Sequence, residues 1–220
     1  MVGSLLYLTN SRPNIVLAIG LMARYQAAPK QNHLLAIKRI FRCLQGTAHY
    51  GLWYPKRKSF TLTTYTDVDW ASCVDDRKST SGGAFYLGKS LVAWLSKKQT
   101  SISLSSAEAE YIAAAACCTQ VMWMKKTLQD MKVSIDEPIS IKCDNTSAIS
   151  ISKNHELHSK TKHIPIKYHF LREQVAQKVV KLEYVPTKGQ TADIFTKPLA
   201  KEPFEYLRDK LGVVSADATL

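Results

Sequence analysis

Between Phe60 and Val185 the spacing of apolar residues changes in an order that few folds accommodate. Phe60–Asp67 is rich in threonine and aromatics and alternates with period two, the pattern of a strand with one buried face. A polar loop, Ser72–Ser81, follows. Two more short strands, Ala84–Leu87 and Leu91–Leu95, then flank Gly88-Lys89-Ser90, a hairpin turn. The period next becomes helical. Ser105-Ser106-Ala107-Glu108 has the residues of a capping box, and its helix runs through Ala113–Ala116 to about Met131. A fourth strand, Ile139–Cys143, comes after Pro138. A short helix carries Ala148, Ile149 and Ile151, and Ile164, Tyr168, Leu171 and Val175 mark an amphipathic one. Val179–Val185 is a fifth strand, and short helices at Thr191–Leu199 and Phe204–Leu211 end the pattern. Three antiparallel strands followed by alternating helices and strands predict an α/β fold, a five-stranded mixed sheet flanked by helices.

The stretch ahead of this block reads as helical. Pro13 suits a helix first turn, Ile15, Ile19 and Met22 recur at helical spacing, and Leu34, Ile37, Phe41 and Leu44 form a second stripe that Gly46 would cap. The pattern changes near Tyr54-Pro55. It divides the chain into a helical appendage at 1–57, a main domain at 58–199 and a C-terminal helix and tail at 200–220.

The net charge of +12 favours a polyanionic partner, nucleic acid above all. The five cysteines form no disulfide framework, and Cys117-Cys118 lies inside a helical pattern, which points to a reducing, intracellular setting. Met1–Asn10 lacks the basic start of a secretory signal, and the longest apolar run, near Ile15–Ala23, is too short to cross a bilayer. Neither a membrane nor a small-molecule cofactor is expected.

Acidic residues stand at telling places. Asp67 closes the first strand, Glu110 lies in the first turns of the long helix, Asp144 closes the fourth strand, and Asp193 opens a late helix. Hard oxygen ligands of this kind suit Mg²⁺, and a pair of such ions serves phosphodiester hydrolysis. Each position also has a structural alternative: Asp67 as a turn residue, Glu110 as a partner of the helix dipole, Asp144 and Asp193 as N-caps. The order of all four on these elements carries the argument, and it requires the first and fourth strands to be neighbours.

The blocks around these residues are specific. They are Thr66-Asp67-Val68-Asp69-Trp70-Ala71, Asp75-Asp76-Arg77-Lys78-Ser79-Thr80-Ser81-Gly82 and Leu104-Ser105-Ser106-Ala107-Glu108-Ala109-Glu110-Tyr111. Further on come Asp144-Asn145, Thr161-Lys162-His163-Ile164, Tyr168-His169-Phe170, Tyr184-Val185-Pro186-Thr187 and Ala192-Asp193-Ile194-Phe195-Thr196-Lys197-Pro198-Leu199. Together they closely resemble copia-type LTR retrotransposon Pol polyproteins, from Gly3 to about Gly212. The resemblance implies a C-terminal fragment: the end of the reverse transcriptase, its thumb/connection region, at residues 1 to about 57, then a domain of ribonuclease H-like fold. It implies cleavage of the RNA strand of RNA–DNA hybrids with two Mg²⁺ ions, for which Mn²⁺ can substitute. The remainder of Pol would be a partner, and the setting a cytoplasmic virus-like particle. The family's tetrad falls on Asp67, Glu110, Asp144 and Asp193. Asp67 would bridge both metals, Glu110 and Asp144 would hold the one on the leaving-group side, and Asp193 the one near the attacking water. Cellular ribonucleases H carry a histidine in a loop before the last Asp; Pro186-Thr187-Lys188-Gly189-Gln190 has none, so proton transfer has no assigned residue.

Expected substrate contacts are Ser105 and Ser106 at the helix start, Asn145 beside Asp144, and Lys97, Lys98 and Lys162. Detecting RNA requires polar groups against 2′-hydroxyls in a wide minor groove. Cys73-Val74-Asp75-Asp76 echoes a polymerase hairpin, but it lies in a polar loop with too little chain before it to build a palm, so no polymerase activity is expected. His155, His158, His163 and His169 lack the cysteine pair of a zinc finger. Trp70, Trp94 and Trp123 are expected to pack in the core or at the sheet edge rather than stack on bases. Two rivals differ in class. A silent relic would bind nucleic acid without cutting. A transposase or integrase would carry its helical Glu after the second Asp strand, whereas Glu110 precedes Asp144.

Overall fold

The computed structural model describes residues 1–56, 60–135, 137–153 and 164–216. The chain divides into two compact units, Met1–Pro55 together with Lys197–Leu220, and Lys56–Thr196.

In the first unit α1 (Val2–Leu8), α2 (Val16–Ala23) and α3 (Gln31–Gly46) gather Leu5, Ile15, Ile19, Ile37 and Ile40 into a small core. Pro13 opens the 3-10 turn Pro13–Ile15 that leads into α2, as its fixed φ allows. In α3 the buried residues are Ile37 and Ile40, while Phe41 is exposed. The inward face is therefore rotated from the one that Phe41 indicated. Gly46 is the last helical residue rather than the cap. Thr47 follows it, with its hydroxyl donating to the Cys43 carbonyl at 2.6 Å. Beyond α3, β1 (Tyr50–Leu52) pairs antiparallel with β7 (Val213–Ser215), which follows α7 (Lys201–Lys210). Both strands are three residues long, too short for periodicity to reveal.

In the second unit β2 (Leu62–Asp69), β3 (Thr80–Leu87), β4 (Ser90–Lys98), β5 (Ile139–Cys143) and β6 (Val180–Tyr184) form a sheet in the order β4-β3-β2-β5-β6. The β2–β3 and β3–β4 pairs are antiparallel, and β2–β5 and β5–β6 are parallel. This is the expected mixed sheet, with the first and fourth strands of the sequence pattern side by side. The first strand continues two residues past its expected end, because Val68 pairs with Ser81 and Asp69 with Thr80. Likewise β3 and β4 take in polar residues that a sequence pattern assigns to loops: pairing partners supply the hydrogen bonds that propensity does not foresee.

The long helix α4 (Ser106–Asp130) lies on the sheet through Ala109, Ala113, Ala114, Cys117, Cys118 and Val121, all buried. Small side chains permit that approach: a Cβ on Gly83 would come within 2.9 Å of Cys117 Sγ. A Cβ on the next residue back, Gly82, would strike Thr196 Cγ2 at 2.6 Å and the Ala192 carbonyl at 2.7 Å. Successive strand residues point to opposite faces, so α4 and the 3-10 turn Thr191–Phe195 clasp the sheet from its two sides. That turn replaces the predicted short helix at 191–199. α5 (Thr146–Lys153) and α6 (Phe170–Ala176) complete the core beside α4. Trp123 departs from expectation. It is 63% exposed, on the outer face of α4, whereas Trp94 is half-buried in β4. No helix among the described residues is long and apolar enough to cross a membrane.

Candidate active site

Strand pairing brings the C-terminal ends of β2 and β5 together, and each end delivers an aspartate. Asp67 leaves β2 opposite Gly82, and Asp144 directly follows β5. α4 contributes Glu110 from its second turn. Its start is fixed by Ser105, whose hydroxyl accepts from the Glu108 N–H at 3.2 Å, while Glu108 Oε2 accepts from the Leu104 N–H at 2.8 Å. The predicted cap is therefore present, with the reciprocal bond made one residue earlier than in a standard capping box. Asp193 comes from the 3-10 turn. Asp67, Glu110 and Asp193 are buried and Asp144 half-buried.

The electrostatics follow from this crowding. Burial raises the Asp67 carboxyl to about 8, and the neighbouring charges of Asp193 and Asp144 add to the shift. Burial, then the charges of Asp67 and Asp144, raise Glu110 to about 9, although the Val68 backbone N–H and the Cys143 thiol hydrogen-bond to it. Mutual repulsion in a dry site favours the protonated forms.

Several supporting residues escaped the sequence reading. Thr196 donates to Asp67 Oδ2 at 2.6 Å, with the Asp193 carbonyl at 3.0 Å from the same hydroxyl. Thr187 donates to Asp144 Oδ2 at 3.1 Å. It stands in the stretch where the expected histidine is missing. Fully buried Gln190 donates to the Thr66 carbonyl at 2.8 Å and accepts from the Ala192 N–H at 3.3 Å, tying the 3-10 turn to β2 beside Asp67. The motif blocks Tyr184–Thr187 and Ala192–Leu199 contain Thr187 and Thr196 without marking their roles. No periodic signal marks Thr187 or Gln190. Cys143 also reaches this cluster, with Sγ 3.9 Å from Glu110 Oε2.

No protein-family model matches the chain. Among curated proteins, the Pol polyprotein of transposon RE1 from Arabidopsis thaliana is 39% identical over 213 residues, covering 97% of this chain and 14% of that polyprotein. The Pol polyprotein of transposon TNT 1-94 from Nicotiana tabacum is 37% identical over 215 residues, again 97% of this chain and 16% of the relative. The chain belongs to the Pol polyproteins of copia-type retrotransposons. It spans about one seventh of the length of these relatives. A solved structure of LC11-RNase H1 in complex with RNA/DNA hybrid aligns at 12% identity with a TM-score of 0.42, over 62% of this chain and 94% of that one.

In this copia-type chain the expected substrate contacts are distributed unevenly. The Ser105 hydroxyl is occupied by the helix cap, and Ser106 beside it is exposed. Asn145 Oδ1 accepts from the Ala148 N–H at 3.0 Å, so Asn145 rather than Asp144 caps α5. Lys97 is exposed. Lys98 bonds Asp76 at 2.8 Å and Cys73 Sγ at 3.0 Å, a staple across the loop. The Asp75-Asp76 motif lies in the turn between β2 and β3, where Asp76 also meets Lys78 at 3.7 Å. His169 Nδ1 lies 3.3 Å from the Tyr111 hydroxyl. Trp70 is half-exposed and donates to the Ser103 carbonyl at 3.2 Å. Lys162 and its neighbours Thr161 and His163 lie outside the described residues, as do His155 and His158.

Proposed function

We propose that the chain is a ribonuclease H that hydrolyses the RNA strand of RNA–DNA hybrids, with Asp67, Glu110, Asp144 and Asp193 as its metal-holding carboxylates. The observation that carries this reading is the convergence of these four groups from four separate elements onto one end of the sheet. The donor set fits the group it would hold. Four hard carboxylate oxygens suit Mg²⁺ or Mn²⁺, and the raised affinities of Asp67 and Glu110 for protons mark a deficit of positive charge. Two such ions, when bound, supply the charge that activates water and stabilises the leaving oxygen.

The chain's own residues do the rest. Asp67, the most buried aspartate of the set, is held in place by Thr196, and Asp144 is oriented at the solvent side by Thr187. Such supporting hydrogen bonds fix the direction in which a carboxylate presents its oxygens. Residues 1–57 we assign to the end of the reverse transcriptase and 58–199 to the nuclease domain. The biological role is removal of template RNA during retrotransposon copying, within the larger Pol.

Incubating the purified chain with Mg²⁺ and end-labelled duplexes tests this on a gel. RNA in the hybrid should be cut and duplex DNA of the same sequence left intact. Equal cutting of both duplexes, or of neither, overturns the proposal.

A further inference from the structure

The loop between β4 and α4 inverts the usual order of burial. Ser103 is buried, while Ile102 before it and Leu104 after it are 56% and 75% exposed. Trp70, the residue after β2, is 49% exposed, and its indole N–H donates to the Ser103 carbonyl at 3.2 Å. Further polar groups of the loop also turn inward. The Ser103 hydroxyl donates to Gln99 Oε1 at 3.1 Å, and the Leu104 N–H donates to Glu108 Oε2 at 2.8 Å. Buried Gln99 donates to Ser81 Oγ and to the Ala109 carbonyl, each at 2.9 Å, which ties the loop to β3 and α4. The tryptophan side is fixed as well. The chain turns at Ala71, whose φ of 52° lies in the left-handed region, and the Ala71 N–H donates to Ser79 Oγ at 3.1 Å. Three apolar side chains are thus held toward water around one carbonyl, and none of them has a hydrogen bond left to offer.

Exposed apolar side chains gathered at one place mark a contact with another molecule. Three of them are too few for the roughly 800 Å² that each partner buries in a stable protein interface, but they suit the face of a sugar. Trp70 stands three residues beyond Asp67, and Leu104 is bonded to the first turn of α4, the helix that carries Glu110. The patch therefore belongs to the same elements that deliver the carboxylates. From exposed Lys97 to Ala107 the chain has no acidic residue, so nothing in this stretch repels a phosphate backbone. A ribose 2′-hydroxyl pressed onto the patch would lose its water and gain no partner, which costs free energy. A deoxyribose has no such group to desolvate, and the 2′-hydroxyl is what separates RNA from DNA. We propose that Trp70, with Ile102 and Leu104, packs against sugars of the DNA strand and so selects an RNA–DNA hybrid over double-stranded RNA. The proposal rests on the nuclease reading for its substrate, but its test requires no cleavage.

Fluorescence anisotropy of labelled hybrid and of double-stranded RNA of the same sequence measures binding to the full chain, without divalent metal and over a range of salt. The parent should prefer the hybrid. Trp70→Ala should weaken hybrid binding about tenfold, the scale of losing an aromatic contact to nucleic acid, and leave binding of double-stranded RNA nearly unchanged. The salt dependence of hybrid affinity should keep its slope, because no phosphate contact is removed. Trp70→Phe, which keeps an aromatic face, should lose less. Trp123→Ala, at an exposed tryptophan on the outer face of α4, should have no effect. A parent without preference for the hybrid, an undiminished hybrid affinity in Trp70→Ala, or an equal loss on both duplexes overturns the proposal. If circular dichroism shows that Trp70→Ala is unfolded, Ile102→Ser/Leu104→Ser decides, since both side chains already face water. A loss confined to the hybrid then supports the patch, and no loss or an equal loss on both duplexes overturns it. A chain that prefers the hybrid through Trp70 but cuts nothing defeats the nuclease reading alone. A chain that cuts hybrid while Trp70→Ala binds as the parent does defeats this inference alone.

Discussion

Asp67 and Asp76 belong to the same stretch of chain, the end of β2 and the turn after it, yet they are held in opposite ways. Asp76 lies at the surface with Lys98 at 2.8 Å and Lys78 at 3.7 Å, and the Lys98 hydrogen bond keeps its carboxyl well below the usual range. Asp67 is buried among carboxylates, and burial followed by the Asp193 charge pushes it up to about 8. Lysines satisfy one acid, whereas Asp193, Asp144 and Thr196 act on the other. A fold tolerates such a cluster when something absent from the polypeptide supplies the charge. The contrast teaches which aspartates are structural, and each experiment below attacks one side of it.

The largest effect should come from the unsatisfied side. Asp67→Asn is expected to reduce single-turnover hybrid cleavage by several orders of magnitude, because it removes the ligand at the centre of the proposed site. It should leave the metal-free fold intact by circular dichroism, since an amide does not repel Asp193. A mutant that cleaves at near-parental rates would remove Asp67 from the site. Asp69→Asn, half-buried and two residues on, should cost about tenfold or less.

Thr196→Val comes next. It keeps the methyl that packs against Gly82 and deletes the 2.6 Å bond to Asp67. We expect a loss of about tenfold to a hundredfold in rate, the usual scale for residues that orient a metal ligand. A loss as deep as that of Asp67→Asn, in a chain that still folds, would mean that Thr196 itself meets the substrate.

How far this site could be read from the amino-acid order depends on the kind of signal each residue leaves. The sheet was legible because apolar periodicity records which face is buried. Asp67, Glu110, Asp144 and Asp193 were legible because each sits in a motif block at the end of a recognisable element. The roles of Thr187, which ends a motif block, and of Gln190 were not, since their partners, Asp144 and the Thr66 carbonyl, lie far away in sequence and only the folded sheet brings them near. The extension of β2 to Asp69 and the β1–β7 pair were hidden for the same reason: cross-strand partners, not local propensity, make those residues extended. Lys98 has a partner that no local signal shows: a lysine before a helix that borders a groove reads as a phosphate contact, and nothing in the sequence nearby reveals its bond to Asp76.

Stability against pH separates the two sides without any catalysis. The folded-state values of Asp67 and Glu110, about 8 and 9, lie above ordinary unfolded values near 4. The metal-free native chain therefore binds more protons than the unfolded chain across that window. The contribution of these groups is complete below about pH 4 and is lost progressively as pH rises toward 8 and 9. Melting temperatures of the metal-free chain should fall between pH 5 and pH 9, and Mg²⁺ should oppose the fall by binding the ionised site. Asp144→Asn should melt at the same temperature as the metal-free parent or higher, and gain less from Mg²⁺. A large loss of metal-free stability in Asp144→Asn would make that residue a structural element instead.

The smallest effect should come from the satisfied side. In Asp75→Asn/Asp76→Asn the staple to Lys98 and Lys78 is gone, but its half-buried partners lie at the rim of the turn and can reach water, where ion pairs contribute little. The melting temperature should drop slightly, and the drop should shrink as salt rises, because screening already weakens the parental pair. The turn keeps its backbone closure, with the Arg77 N–H donating to the Cys73 carbonyl at 2.8 Å and the Ala71 N–H to Ser79 Oγ at 3.1 Å. The end of β2 should therefore stay in register with β3, and Asp67 should stay beside Thr196. Hybrid cleavage in Mg²⁺ should remain within a few-fold of the parent. The measurement is a single-turnover rate alongside a melt at low and high salt. If the double mutant folds but loses cleavage, the turn is part of the active site, and the contrast between a stapled acid and an uncompensated one fails at its structural end. If cleavage survives and the melt moves only at low salt, Asp76 does no more than hold Lys98 to the turn, and the proposed acidic chemistry stays with the four clustered carboxylates.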